Sequence, residues 1–317
     1  MLDFQKRIGF SDDIKPLLRQ IIKDYRLGKY LSHNVIPVGY EDFNLAVNAS
    51  CGRYFIKIFA AYRNKENCKR YIKIIELVLA RGVQHPKLLK SSRGVFYETR
   101  YGNLQVRLCV MQHIDGMNLY DLNSRLNLKE QKFLIKEAAR INKIKFKPKF
   151  IYDSWAVSNF LKEFKKKRKY LDAGSKKILD LLAKKFLKLR LATLPHCLVH
   201  GDIIKTNVLK SKIGKLFIID FSVSNYYPRI QELAVLLCSC LFDELHPKNI
   251  ERQRDFAIKE YQKHIRLTDK EIAALPIFCD AAHAMHILQA TYEKKVRNNN
   301  SQENAYWLKL GKIGLGI

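Results

Sequence analysis

Glycine and proline are scarce in this 317-residue chain, at 14 and 8 residues. That scarcity excludes a collagenous, linker-like or low-complexity architecture. Acidic residues are few as well: 30 Asp and Glu stand against 58 Lys and Arg, and 58 − 30 leaves a formal net charge of +28. No C-x-x-C pair occurs among the seven cysteines (Cys51, Cys68, Cys109, Cys197, Cys238, Cys240, Cys279), and none is patterned with histidines as a zinc site requires. Their odd number in a chain of this size reads as buried thiols in a reducing compartment, with no disulfide. No apolar run reaches the roughly 18 residues of a membrane span, and the start MLDFQKRIGFSDD lacks an apolar signal-peptide core. The expectation is a soluble, unexported, cytoplasmic protein with no membrane partner.

With 47% hydrophobic and 28% charged residues, the chain has the composition of a globular protein. Its length exceeds what one core usually fills, so two lobes are expected. The surplus of lysine, concentrated in stretches such as Asn142 to Phe150 and Lys165 to Lys169, could attract a phosphate backbone. Lysine spread over solvated helix faces accounts for it more simply, so no specific nucleic-acid partner is expected.

Residues 12–27 carry apolar positions at helical spacing, ending near Gly28. From Asn34 the texture turns to strands: VIPVGYEDF, NLAVNAS, then Cys51-Gly52-Arg53 as a turn into YFIKIF. Lys65 to Arg81 reads as a helix closed by Gly82 and Pro86, after which VFYETRYG and LQVRLCVMQHI return to strand. After Asp115-Gly116 the pattern is helical in Leu119–Ile144, Val157–Tyr170, 176–191, 229–242, 250–264 and Pro276–Val296. One β island, CLVHGDIIKTNVLKSKIGKLFIIDF, interrupts it. The expected fold is α+β and two-lobed: a β-rich lobe over 1–114 and a mainly helical lobe over 115–317 with an inserted catalytic β-hairpin.

The β island carries the chemistry. A hairpin turning at Ile213-Gly214 brings Asn207 and Asp220 opposite each other at its open end. An amide oxygen and a carboxylate are hard donors that suit Mg²⁺, a cation that keeps waters and completes its shell with substrate phosphates. Asp202, in His200-Gly201-Asp202, precedes Asn207 by five residues and can accept the proton of a substrate hydroxyl. Lys57 alternates with Phe55 and Phe59 in an apolar strand, where an unpaired ammonium would be costly, so an anionic partner or ligand is expected. Base, metal donors and a phosphate-binding cation are the parts phosphoryl transfer needs.

HGDIIKTN followed by IIDF resembles the HGD-x4-N and DF motifs of the aminoglycoside phosphotransferase, choline kinase and homoserine kinase superfamily, small-molecule kinases with a protein-kinase-like fold. The likeness runs along nearly the whole chain: VGYEDFNLAV resembles the nucleotide-covering hairpin, YFIKIF the lysine strand and CVMQHIDGMNL the hinge. The resemblance implies ATP and Mg²⁺ as cofactors, Asp202 as catalytic base, Asn207 and Asp220 as metal ligands, and Lys57 on the nucleotide phosphates. It further implies that Gln112, His113 and Ile114 offer backbone groups to the base. A helix carboxylate should pair with Lys57. Glu76 and Glu66 both qualify, although ten residues place them about 80° apart around the helix; Glu76 is favoured.

The first hairpin has Gly39 and Asn44 but no G-x-G-x-x-G, and Ile204 stands where protein kinases carry a lysine, two residues after Asp202. Both departures argue against a protein kinase. Glu232 resembles the family's acidic residue ahead of Leu-Ala, with helix-start stabilisation as its simplest role. Asp280, His283 and His286 fall at spacings of three on one helix and suggest a polar pocket, and Tyr152-Asp153-Ser154-Trp155 suggests part of its wall. The expected activity is transfer of the γ-phosphate of ATP to a hydroxyl of a small amino alcohol, hydroxy amino acid or sugar. The alternatives are an inactive basic scaffold that binds RNA or an acidic partner, an aminoglycoside kinase or a protein kinase. The acceptor's identity and the oligomeric state are not encoded in these motifs.

Overall fold

The computed structural model describes residues 8–9, 13–36 and 42–317. Gly39 and the tip of the first hairpin lie outside the described residues. The chain forms two compact units, one reaching Gly116 and including Ser211–Ile219, the other comprising Met117–Lys210 and Asp220–Ile317.

In the first unit, α1 (Lys15–Asp24) precedes β1 (Tyr30–Ile36), β2 (Phe43–Ala49) and β3 (Gly52–Ile58), then α2 (Lys65–Ala80), β4 (Tyr97–Tyr101) and β5 (Leu104–Gln112). The five strands form one antiparallel sheet in the order β1-β2-β3-β5-β4. Leu17, Leu18, Ile21 and Ile22 of α1 join Leu45, Val47, Ile56, Ile58, Val106, Leu108 and Val110 of the sheet in one buried cluster. Because successive side chains alternate across a strand, Lys57 between Ile56 and Ile58 points to the other face. There its ammonium lies 5.4 Å from the Tyr71 ring of α2. Helix α2 starts where Asn64 accepts the Asn67 N–H at 2.9 Å and stops before Gly82 at φ 73°. A tight turn at Ser211–Lys215, with Gly214 at φ 79°, closes the hairpin expected in the β island.

Along the chain then come β6 (Gly116–Asn118), α3 (Leu119–Leu122), α4 (Leu128–Asn142), α5 (Phe160–Lys167) and α6 (Ala173–Leu187). They are followed by β7 (His196–Val199), β8 (Val208–Ser211), β9 (Leu216–Ile218) and β10 (Asn225–Pro228). The second unit closes with α7 (Ile230–Cys238), α8 (Ile250–Gln262), α9 (Asp269–Arg297) and α10 (Gln302–Leu315). The single helix expected over Leu119–Ile144 is two. Asn123 turns left-handed at φ 45°, and Asn127 with Glu130 forms a capping box that starts a fresh helix. Conversely, α9 begins before Pro276, because Thr268 and Glu271 form a capping box that offsets the hydrogen bond proline removes.

Helix α9 is, by length and composition alone, able to cross a membrane, although no uninterrupted apolar run in it reaches 18 residues. Two-thirds of its apolar window is buried inside the protein (67%), the packing of a core helix. His283 and His286 do not open a polar pocket. His283 packs 4.8 Å from Phe242 and His286 5.1 Å from Trp307, and both ring nitrogens of His283 lack hydrogen-bond partners. Burial lowers their pKa values to about 3 and about 4, so both are neutral core imidazoles. Gly314 admits the His283 ring, since a Cβ there would meet its Nδ1 at 2.2 Å.

Candidate active site

Strand β7 ends in the buried pair Leu198-Val199, and His200-Gly201-Asp202 follows directly. The fully buried Glu232 of α7 accepts the N–H of His200 at 3.1 Å and of Gly201 at 2.8 Å. Gly201 itself sits at φ 83°, a conformation that favours glycine. The His200 ring packs 4.4 Å from Phe221, and its Nδ1 accepts the Asp202 N–H at 3.1 Å. The Ser224 hydroxyl donates to the His200 carbonyl at 3.2 Å. The Glu232 carboxylate, the Ser224 hydroxyl, the His200 ring and the Phe221 ring together hold this loop in place. Burial raises the Glu232 pKa to about 7, against the pull of the two N–H groups.

Asp202 follows on this rigid loop. The Asn207 amide donates to its carboxylate at 2.7 Å and to its carbonyl at 3.0 Å, which turns the Asn207 amide oxygen to the opposite side. The Asp202 pKa is raised to about 8, first by burial, then by the charges of Asp153 and Asp220, with the Asn207 bond opposing. Asp220 occupies the left-handed region at φ 63°, rare for a side-chain-bearing residue and costly unless its surroundings enforce it. The Ser222 N–H donates to its Oδ1 at 3.2 Å.

The structure thus brings Asp202, Asn207 and Asp220 together in the second unit. Among the described residues no group of three or more His, Cys, Asp and Glu side chains forms a closed metal cage. One amide oxygen and one carboxylate nevertheless fit a hard divalent cation that retains waters and phosphate oxygens. The repulsion that Asp220 exerts on Asp202 is the field such a cation would relieve. Asp153 is a member of this acidic group that the spacing of motifs did not reveal; it was read only as part of a pocket wall.

In the first unit, the Lys57 ammonium lies 3.0 Å from Asp42 Oδ2, and Arg63 Nε lies 2.9 Å from Asp42 Oδ1. All three residues are buried. The partner expected on the helix is not Glu76, which is exposed on the outer face of α2 beside Lys65, Lys69 and Lys73. Lys57 and Asn44 are cross-strand neighbours, so Asp42, two residues before Asn44, lies at the end of β2 on the same side as the ammonium. Glu66 is exposed in the first turn of α2. Gln112, His113 and Ile114 leave the end of β5, with the Gln112 N–H donating to the Lys87 carbonyl at 2.8 Å. Burial and the Arg53 charge hold the His113 pKa below the usual histidine value.

Residues 33–264 match the model of the phosphotransferase enzyme family, APH. The chain belongs to that family. Over 88% of its length it is 21% identical to a homoserine kinase of Bradyrhizobium sp. (strain ORS 278), covering 85% of that enzyme. A second homoserine kinase, from Bradyrhizobium diazoefficiens, is 22% identical over 88% of this chain and 84% of its own. Among solved structures, a microcompartment-associated aminopropanol kinase superposes with a TM-score of 0.71 at 12% identity, covering 96% of this chain and 95% of that one. The choline kinase LicA from Streptococcus pneumoniae gives 0.62 at 13%, covering 96% and 99%. This family member is a small-molecule phosphotransferase of the α+β, protein-kinase-like fold.

Proposed function

We propose that this phosphotransferase moves the γ-phosphate of ATP, presented with Mg²⁺, onto a hydroxyl of a small polar metabolite: an amino alcohol, a hydroxy amino acid or a sugar. The observation that carries the reading is the Asp202 carboxylate held by Asn207 in the field of Asp220. Asp202 takes the proton as the acceptor oxygen bonds to the γ-phosphorus and the bond to the ADP oxygen breaks. Asn207 and Asp220 are the residues that would hold the cation, which when bound neutralises phosphate charge. Lys57 steadies the nucleotide phosphates, itself oriented by Asp42, and the backbone of Gln112, His113 and Ile114 receives the base. Nucleotide contacts thus fall to residues 1–114 and acceptor contacts to 115–317.

Relatives named for homoserine, aminopropanol and choline kinase activity support a small hydroxyl acceptor. A net charge of +28 repels polycationic aminoglycosides over long range. ADP formation with Mg²⁺-ATP across serine, threonine, homoserine, ethanolamine, choline, pentoses, hexoses and aminoglycosides tests the proposal, with Asp202→Asn as the blank. Acceptor-dependent turnover that the blank abolishes supports it. No ATP binding and no turnover with any acceptor returns the chain to the scaffold reading.

A further inference from the structure

Three residues beyond Asp202 the chain carries a charge pair that the phosphoryl-transfer roles leave unused. The Lys205 ammonium donates to Glu244 Oε1 at 2.7 Å and to the Tyr306 hydroxyl at 3.1 Å, and that hydroxyl donates to Glu244 at 2.9 Å. The turn that bears Lys205 is fixed from behind, since its N–H donates to Ser239 Oγ at 3.1 Å and the Cys240 thiol to the Ile203 carbonyl at 3.6 Å. The pair is not sealed in the core: the Lys205 and Glu244 side chains are 19% and 23% exposed. Beside it, the Tyr306 ring meets Tyr120 and Trp307 edge-on, each at 5.0 Å.

At about a fifth exposed the pair is partly desolvated, so its attraction is offset by the cost of taking two charges out of water, and folding alone gives little reason for this arrangement. One ammonium, one carboxylate and a phenol that bridges them, set against aromatic faces and anchored to the loop of the base, match both ends of a zwitterion. We infer that Lys205 and Glu244 bind the phosphate acceptor and that the acceptor is a hydroxyl-bearing α-amino acid, its carboxylate on Lys205 and its ammonium on Glu244. The inference rests on the phosphotransferase reading with Asp202 as base. A zwitterion inserted here exchanges one ion pair for two and leaves no charge unmatched. An amino alcohol offers only its ammonium, which would satisfy Glu244 while leaving Lys205 beside a like charge. A neutral sugar meets neither end and competes with the pair itself.

The test compares kcat/KM for L-homoserine, L-serine and L-threonine with that for 3-aminopropan-1-ol, ethanolamine and 1-aminopropan-2-ol, the same molecules without the carboxylate. It uses the wild type, Lys205→Met and Glu244→Gln, each checked for folding by thermal melting. At least one amino acid should exceed its amino alcohol by about tenfold or more. Lys205→Met should raise KM for that amino acid about tenfold while kcat changes little, and so narrow the ratio; Glu244→Gln should weaken both acceptor classes. Equal or better use of the amino alcohols, turnover confined to a sugar or an antibiotic, or an unchanged ratio in Lys205→Met overturns the inference and leaves the kinase reading intact. If no acceptor supports ADP formation that depends on Asp202, the kinase reading itself fails and the inference falls with it.

Discussion

Glu232 holds the His200-Gly201-Asp202 loop from a distance of thirty-one residues in sequence, its Oε2 accepting the Gly201 N–H at 2.8 Å. It touches no reacting atom in the proposed mechanism, so its part is to position Asp202. Replacing it with Ala removes the carboxylate that accepts the His200 and Gly201 N–H groups, a loss of roughly 1–3 kcal/mol for a buried N–H. Glu232→Gln, which keeps the volume but turns a donor towards one N–H, should lower kcat more than the KM for ATP in a protein that still melts cooperatively. A folded Glu232→Gln enzyme with wild-type kcat would show that the loop holds itself.

Asp202→Asn should lower kcat by about 10²–10⁴, the usual worth of a positioned base, while ADP binding by calorimetry stays close to wild type. Asp220→Ala should instead weaken Mg²⁺-dependent nucleotide binding together with turnover. Unchanged affinity in the Asp220 variant would remove the metal role from that residue.

Lys57 shares Asp42 with Arg63, so loss of Lys57 leaves the carboxylate one buried cation. Lys57→Met should therefore fold and lose nucleotide affinity. Asp42→Asn should destabilise the protein more, because it removes the charge of a buried carboxylate that contacts two buried cations at once. Urea denaturation of the two variants would order them; a reversed order would contradict the shared-carboxylate account.

His283 titrates at about 3 in the folded protein against an ordinary 6.5, so the unfolded chain binds the extra proton between those values. Stability contributed by the neutral ring is fully present above 6.5 and is lost as pH falls towards 3. At about pH 4.5 the loss is on the order of 3 kcal/mol. His283→Leu should flatten this part of the stability–pH curve, measured as the difference from wild type at each pH. Gly314→Ala, which drives a methyl group into the same ring, should destabilise at every pH.

Much of the site was legible because its parts lie close together in the chain. His200, Asp202, Asn207 and Asp220 span one loop and one hairpin, and a two-residue side-chain period with a glycine turn is enough to bring them together. Lys57 was legible for a similar reason, since a lysine sharing one strand face with Phe55 and Phe59 demands an anionic partner. Its partner was not, because the residue just before β2 and helix α2 both offer carboxylates, and only the folded sheet, which pairs Lys57 with Asn44, brings Asp42 to the ammonium while Glu76 stays exposed. The helix breaks at Asn123 and the early start of α9 were carried by capping residues that apolar periodicity does not weigh.

The sequence by itself determined the family chemistry, the alternation that buries Lys57 and the split into a strand-rich and a helical part. Only the tertiary structure decided which carboxylates lie near Asp202, that Glu232 clamps its loop, that His283 is buried in the core with His286 packed against Trp307, and that Lys205, Glu244 and Tyr306 meet. The physical reason is range. Hydrogen-bonding and hydrophobic periods act over a few residues and can be read along the chain, whereas burial and electrostatic fields depend on which distant segments pack together.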